Sequence, residues 1–204
     1  MQKLYVAVLR ASIANDLKTG VLKLKGNPSY YTYLIMDGSK LNNILKCYFD
    51  TNFGINNGHV DDFGEGCLYV GKGKNQRKLQ HAIECKQSLD DDLSEGIASD
   101  KSNEIAKLWK RGMGIAVMQL CNDSNHYEAH ANEFALIKGI GLSNITNVIN
   151  GTAYGAMKSW NNNEIINFGR MLLYNALVMC IHETPRILMY SDIVLPKSRA
   201  ACRN

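Results

Sequence analysis

The chain has 204 residues, a hydrophobic fraction of 46% and a net charge of +4. That length suits one domain with appendages and supplies enough apolar side chains for a sizeable core. A sequence pI near 8.7 is only a mild basic bias, short of the roughly 9 and above expected of a strongly basic nucleic-acid domain, so the placement of charge matters more than its sum. Six cysteines, Cys47, Cys67, Cys85, Cys121, Cys180 and Cys202, form no Cys-x-x-Cys pair. This points to free, mostly buried thiols in a reducing compartment. The spacing gives a structural zinc no support, and a site assembled from distant Cys and His stays open. The first residues lead into a charged amphipathic stretch rather than a secretory signal. No apolar run is read as approaching the ~20 residues that span a bilayer. The expectation is a soluble intracellular protein, of the cytoplasm or nucleus, with no membrane segment.

Leu4, Ala7, Val8 and Ala11 recur at helical spacing and predict a helix over residues 2–17, with Gly20 as its cap. Residues 30–36 are aromatic and branched and read as a strand, with Asp37-Gly38 as the turn that leaves it. Residues 37–66, rich in Asn and Gly, read as a long irregular insertion with a short helix near 41–49. Cys67-Leu68-Tyr69-Val70-Gly71 is a second strand, followed by a basic glycine turn and a helix over 76–88. The acidic run 88–103 reads as a solvated loop, and 103–111 as a helix. A third strand is expected over 115–121, a helix over 125–139, a turn-rich stretch over 142–155 and a long helix over 162–182. The tail carries Lys197, Arg199 and Arg203 and is expected to be mobile at its end. These elements predict an α+β fold, a small antiparallel sheet of about three strands flanked by helices. The predicted organisation is an N-terminal helix over 1–25, a core over 26–155 holding the insertion, and a helical C-terminal extension and tail over 156–204.

Two segments concentrate chemistry. The first delivers Lys72, Lys74, Arg77, Lys78 and His81 within ten residues of a strand end. Gly71 and Gly73 allow a bulky anion to approach the backbone, and a helix N-terminus near Asn75 favours phosphate. Arg77 and His81, four residues apart, are expected on one helix face, a permanent cation beside a group that moves protons near neutral pH. An ordinary basic turn with a surface histidine fits the same residues. In the second segment, Ala129, Glu133, Leu136 and Ile137 share helical spacing, so Glu133 falls on or beside the core-facing stripe. A carboxylate there needs a partner, a metal or a pKa shift. A boundary residue paired with a lysine is the plainer alternative. Glu128 is expected to be exposed.

Thr32-Tyr33, then Tyr69-Val70-Gly71-Lys72-Gly73, then Arg77 and His81, resemble the signature of the GIY-YIG endonucleases. Glu128-Ala129 with Glu133-Phe134-Ala135-Leu136-Ile137-Lys138 is similar to that family's metal-binding glutamate helix, and Asn147 with Gly151 to the segment that follows. Residues 105–114, 141–155 and the helix beyond Trp160 resemble the branch of animal nucleases that carry ankyrin repeats and a LEM domain, neither of which is present in this chain. The first motif departs from the family, reading Tyr31-Thr32-Tyr33 without its glycine and isoleucine.

The resemblance implies a metal-dependent, structure-selective DNA endonuclease acting on branched or bridging DNA. Glu133 would bind one divalent ion, Mg²⁺ or Mn²⁺. Arg77 would neutralise transition-state charge, and Tyr69 or His81 would deprotonate the attacking water, with Tyr33 and Lys72 beside them and Asn147 completing the set. Lys72, Lys74 and Lys78 would bind DNA phosphates. Tyrosine's ordinary pKa of about 10 favours His81 as base, whereas the resemblance favours Tyr69. The alternatives are a catalytically weak nucleic-acid-binding module using the same turn, and a protein whose cysteines bind zinc or sense redox state.

Overall fold

A computed structural model of the chain describes residues 2–23, 29–51, 54–91 and 99–195. The chain runs through α1 (Gln2–Lys18), β1 (Tyr30–Asp37), α2 (Gly38–Thr51), α3 (Asn57–Glu65), β2 (Cys67–Gly73), α4 (Gln80–Asp90) and α5 (Asp100–Lys110). It continues through β3 (Ile115–Ser124), α6 (His126–Ile140), α7 (Asn162–His182) and β4 (Ile187–Leu188). The sheet is antiparallel with strand order β2-β1-β3-β4. This is the expected α+β fold, with one strand more than predicted among the described residues. Two-residue β4 pairs only with Ile115 and Ala116 and is too short for periodicity to reveal.

β1 is nearly all buried, because both faces of the sheet are covered. Its side chains alternate between two cores, as the two-residue period of a strand requires. Leu34 and Met36 join the larger core with Val70, Met118, Leu120 and the buried faces of α6 and α7. Tyr31, Tyr33 and Ile35 join a smaller core with Ala82, Cys85, Ile105 and Trp109 from α4 and α5.

Several expectations are corrected. Residues 37–66 are not irregular: α2 and α3 occupy most of the stretch and bury Leu41, Leu45, Val60 and Phe63. Asp37 caps α2 rather than opening a turn, its Oδ1 accepting from the N–H groups of Ser39 (2.8 Å) and Lys40 (3.2 Å). The expected apolar stripe of α1 is the wrong face. Leu4 is 65% exposed, while Leu9 and Ile13 are buried. Apolar residues surround this helix, and tertiary packing chooses among them. The acidic run is shorter than expected, since α4 extends to Asp90 and α5 begins at Asp100 behind the Ser99 cap. Residues 92–98 and the basic tail with Lys197, Arg199 and Arg203 lie outside the described residues. Helix α7 is, against expectation, long and apolar enough to cross a membrane by length and composition. Its Phe168, Leu172, Leu173, Ala176 and Leu177 are core residues of this fold. Among the described residues, Cys67, Cys85, Cys121 and Cys180 are free thiols, and three of them are buried.

Helices α6 and α7 cross at a contact too close for a side chain. A Cβ at Gly169 would lie 1.9 Å from the Ala135 carbonyl oxygen, and one at Gly139 would lie 2.8 Å from the Gly169 carbonyl carbon. Gly169→Ala should therefore cost about 2–3 kcal/mol, the scale of overpacking in a tight core. Gly54→Ala, whose methyl meets nothing within 4 Å, should stay within about 0.5 kcal/mol of wild type. Urea midpoints of the two variants check this; equal midpoints would contradict the crossing.

Candidate active site

The chemically loaded residues meet at the outer edge of β2. Successive strand residues point to opposite faces: Tyr69 packs with the smaller core, while Lys72 reaches α6 on the other side. Only at a sheet edge can side chains of both faces open into one space. A cavity of about 310 Å³ lies there, lined by Tyr69, Lys72, Lys101, Glu133 and Asn147 among others. A larger groove of about 550 Å³, between β3 and the end of α7, holds none of them.

Glu133 is 6% exposed on the buried face of α6. Its Oε2 accepts from the Lys72 ammonium at 2.5 Å. Burial raises the Glu133 pKa, and the hydrogen bond and charge of Lys72 pull it back. Both sequence readings of Glu133 thus meet in one geometry, a core-facing acid with a lysine partner. Glu128 is not the exposed residue expected. It completes a capping box with Asn125 at the start of α6, and its side chain is largely covered beside Arg10.

Tyr33 is buried at 1% exposure, and its hydroxyl lies 3.1 Å from His81 Nε2. His81 Nδ1 in turn lies 3.4 Å from Glu84 Oε2. Burial and the Lys101 charge pull the His81 pKa down to about 4. His81 is therefore a buried neutral group at pH 7, not the surface histidine of the plainer reading. The expectation that Arg77 and His81 share a helix face also fails. Arg77 opens a short 3-10 turn and is exposed, while His81 belongs to α4 and is 2% exposed. Arg77 still acts on this region: its charge lowers the pKa of both Tyr33 and Tyr69 against the rise caused by burial.

Tyr69 packs edge-on against the His81 ring, with centroids 4.9 Å apart. Burial, then the charge of Glu133, raises its pKa. Two glycines make this crowding possible. A Cβ at Gly71 would lie 2.4 Å from the Tyr33 ring, and one at Gly73 would lie 2.5 Å from the Arg77 stem. The glycine spacing thus serves packing of Tyr33 and Arg77 as well as open backbone.

Asn147 grips β2 from outside. Its Oδ1 accepts from the Val70 N–H at 2.9 Å, and its Nδ2 donates to the Val70 carbonyl at 2.8 Å. Lys74 and Lys78 do not line the cavity. The Lys74 ammonium lies 4.2 Å from the Tyr30 ring centroid, and Lys78 donates to Gln119 Oε1 at 2.6 Å. The sequence reading missed Lys101, whose ammonium lies 4.8 Å from the Tyr69 ring centroid and whose pKa burial lowers. The available signal was Ser99, an N-cap residue that starts α5 just before Lys101. It also missed Glu84, one helical turn from His81.

Among the described residues, no group of three or more His, Cys, Asp and Glu could hold a metal ion. Any cation at this centre would rest on a single carboxylate. That donor set fits a hard ion completed by water and phosphate oxygens, and it does not fit a zinc site built from Cys and His.

Residues 30–194 match the family model described as the LEM-3-like GIY-YIG domain. The ankyrin repeat and LEM domain-containing protein 1 homolog of Caenorhabditis elegans is 30% identical over 167 residues, covering 80% of this chain and 22% of that protein. The human ankyrin repeat and LEM domain-containing protein 1 is 25% identical over 181 residues, covering 88% of this chain and 28% of that protein. The chain thus spans about a quarter of the length of these relatives. No solved structure matches it. With the family model covering most of the chain, the chain belongs to the LEM-3-like GIY-YIG family, a family of nucleases.

Proposed function

We propose that the chain is a metal-dependent, structure-selective endonuclease that hydrolyses phosphodiester bonds in branched or bridging DNA. The observation that carries this reading is the cavity at the β2 edge, where a buried acid, Glu133, faces Lys72 and Tyr69. An acid held there beside a cation and open space is suited to one Mg²⁺ or Mn²⁺ ion sharing its coordination with water and substrate phosphate. When bound, the ion supplies Lewis-acid polarisation of the scissile phosphate and stabilises the leaving 3′ oxygen.

The chain's own residues supply the rest. Lys72 and the exposed Arg77 bring positive charge to the non-bridging oxygens, where the pentavalent transition state needs it most. Tyr69 lines the cavity and is the base for the attacking water. His81 sits behind it, held between Tyr33 and Glu84, and orients the tyrosine pair. Asn147 fixes the strand that carries Tyr69 and Lys72. Lys74 and Lys78 bind flanking phosphates.

Three outcomes test this reading. Glu133→Gln keeps the shape and removes the charge, so Mn²⁺ binding measured by calorimetry should vanish and cleavage should fall by at least about 10³-fold. DNA affinity should survive, because basic side chains carry it. Glu128→Gln, which preserves the capping box, should be mild. Normal Mn²⁺ binding by Glu133→Gln would overturn the metal assignment.

Arg77→Ala should lower kcat by about 10²-fold or more while weakening binding much less, the signature of an interaction made mainly in the transition state. Lys74→Ala and Lys78→Ala should chiefly weaken binding and flatten its salt dependence. An Arg77 variant altered only in affinity would displace Arg77 from this role.

The pH profile separates the two candidate bases. A base works deprotonated, so kcat/KM rises with pH up to its free-enzyme pKa. Burial holds the Tyr69 pKa up, which places its rising limb on the alkaline side, whereas His81, near 4, would give a limb on the acid side and a flat profile at neutrality. The alkaline limb should disappear in Tyr69→Phe and persist in His81→Ala at reduced rate. A limb lost only in His81→Ala would reverse the assignment.

A further inference from the structure

The segment following α6 carries an exposed apolar tip that none of the chemistry above uses. Ile145 is buried in the larger core. The next two residues are stapled to the outer edge of β2. Thr146 donates to the Leu68 carbonyl from both its N–H and its hydroxyl, each at 2.8 Å, and Asn147 holds the Val70 N–H and carbonyl at 2.9 and 2.8 Å. Val148 and Ile149 then project outward, 86% and 71% exposed. Gly151, at φ +81°, returns the chain against α6, close enough that a Cβ there would lie 3.5 Å from Glu133 Oε2. The tip is thus a short projection held at both ends, at β2 and beside Glu133.

Two branched aliphatic side chains fixed in water are unfavourable unless something apolar covers them. Their position says what. Val148 and Ile149 border the same cavity as Tyr69, Lys72 and Glu133. A phosphate drawn into that cavity brings its neighbouring nucleotides to the rim, and the apolar surfaces of nucleic acid are the faces of its bases. In an intact duplex those faces are stacked and closed. At a branch, gap or bulge one step is already open, and an aliphatic wedge can enter it at far lower cost.

We propose that Val148 and Ile149 form a wedge that inserts beside the scissile phosphate and selects DNA whose base stack is already interrupted. The proposal rests on the nuclease reading and adds to it the source of its preference for branched DNA. The two side chains touch bases, not reacting atoms, so they set specificity and are not catalytic residues.

The test uses the full chain with Glu133→Gln, which holds DNA without cutting it, and a three-way junction carrying 2-aminopurine at the branch point. That base fluoresces when unstacked. The Glu133→Gln protein should raise the signal on the junction and leave a linear duplex dark. Adding Val148→Ser and Ile149→Ser should return the signal to that of free DNA and weaken junction binding at least about ten-fold, as loss of two buried aliphatic contacts requires. Adding Val148→Leu and Ile149→Leu instead should restore both, because any aliphatic wedge serves. A Glu133→Gln protein that binds neither DNA would overturn the nuclease reading and the wedge with it. Tight junction binding with no fluorescence change, or with the same change in the serine variant, would overturn the wedge alone and reassign the pair to contact with another protein.

Discussion

The ion pair between Lys72 and Glu133 is the constraint around which the site is built. A carboxylate at 6% exposure on a helix that packs Ala129, Leu136 and Ile137 into the interior cannot stay charged without a counter-charge. Lys72 supplies it across 2.5 Å, so α6 and β2 are held in one relative position. Ion pairs of this kind are poor stabilisers, because desolvation cancels much of the attraction. An apolar pair would pack the same contact with less cost. What the acid offers instead is a fixed negative centre on an open cavity.

The rest of the site follows from putting that pair on an edge strand. With Lys72 committed to the α6 side, its neighbours Gly71 and Gly73 fall on the opposite face, and each leaves the volume another residue fills, the Tyr33 ring over one and the Arg77 stem over the other. Tyr33 then sits against His81, and His81 against Glu84. An edge strand with unpaired backbone groups would be a liability. Here Thr146 and Asn147 occupy that edge with side-chain and backbone hydrogen bonds. The same contacts that protect the strand position the exposed Val148–Ile149 tip.

The strands and the later helices were legible because local pattern and tertiary role agree there. The boundaries expected for the long helix coincide with α7 (Asn162–His182), whose Asn161 and Glu164 form a capping box. Asn125 likewise announces α6 through its side chain. Glu133 could be singled out because an acid on an apolar stripe is a visible conflict. Failures came where composition was mistaken for conformation. The Asn and Gly of residues 37–66 suggested loop, although Leu41 with Leu45 and Val60 with Phe63 carry helical spacing and fix α2 and α3 in the core. Lys101 was hidden by its acidic neighbours, and its nearness to Tyr69 comes from a long-range packing of α5 that no local signal encodes. His81 lies buried in α4 while Arg77 opens the exposed 3-10 turn before it, a break in the helix that their four-residue spacing does not reveal.

The proposed activity is DNA cleavage at this strand edge with a divalent ion. End-labelled flap, three-way junction, single-stranded and linear duplex DNA, incubated side by side with the purified chain in Mg²⁺ and in EDTA, test it directly. Cuts are expected in Mg²⁺ only, most rapid on the flap and junction. Tight binding to those substrates with no cleavage in either Mg²⁺ or Mn²⁺ would contradict it and leave the chain a nucleic-acid-binding module.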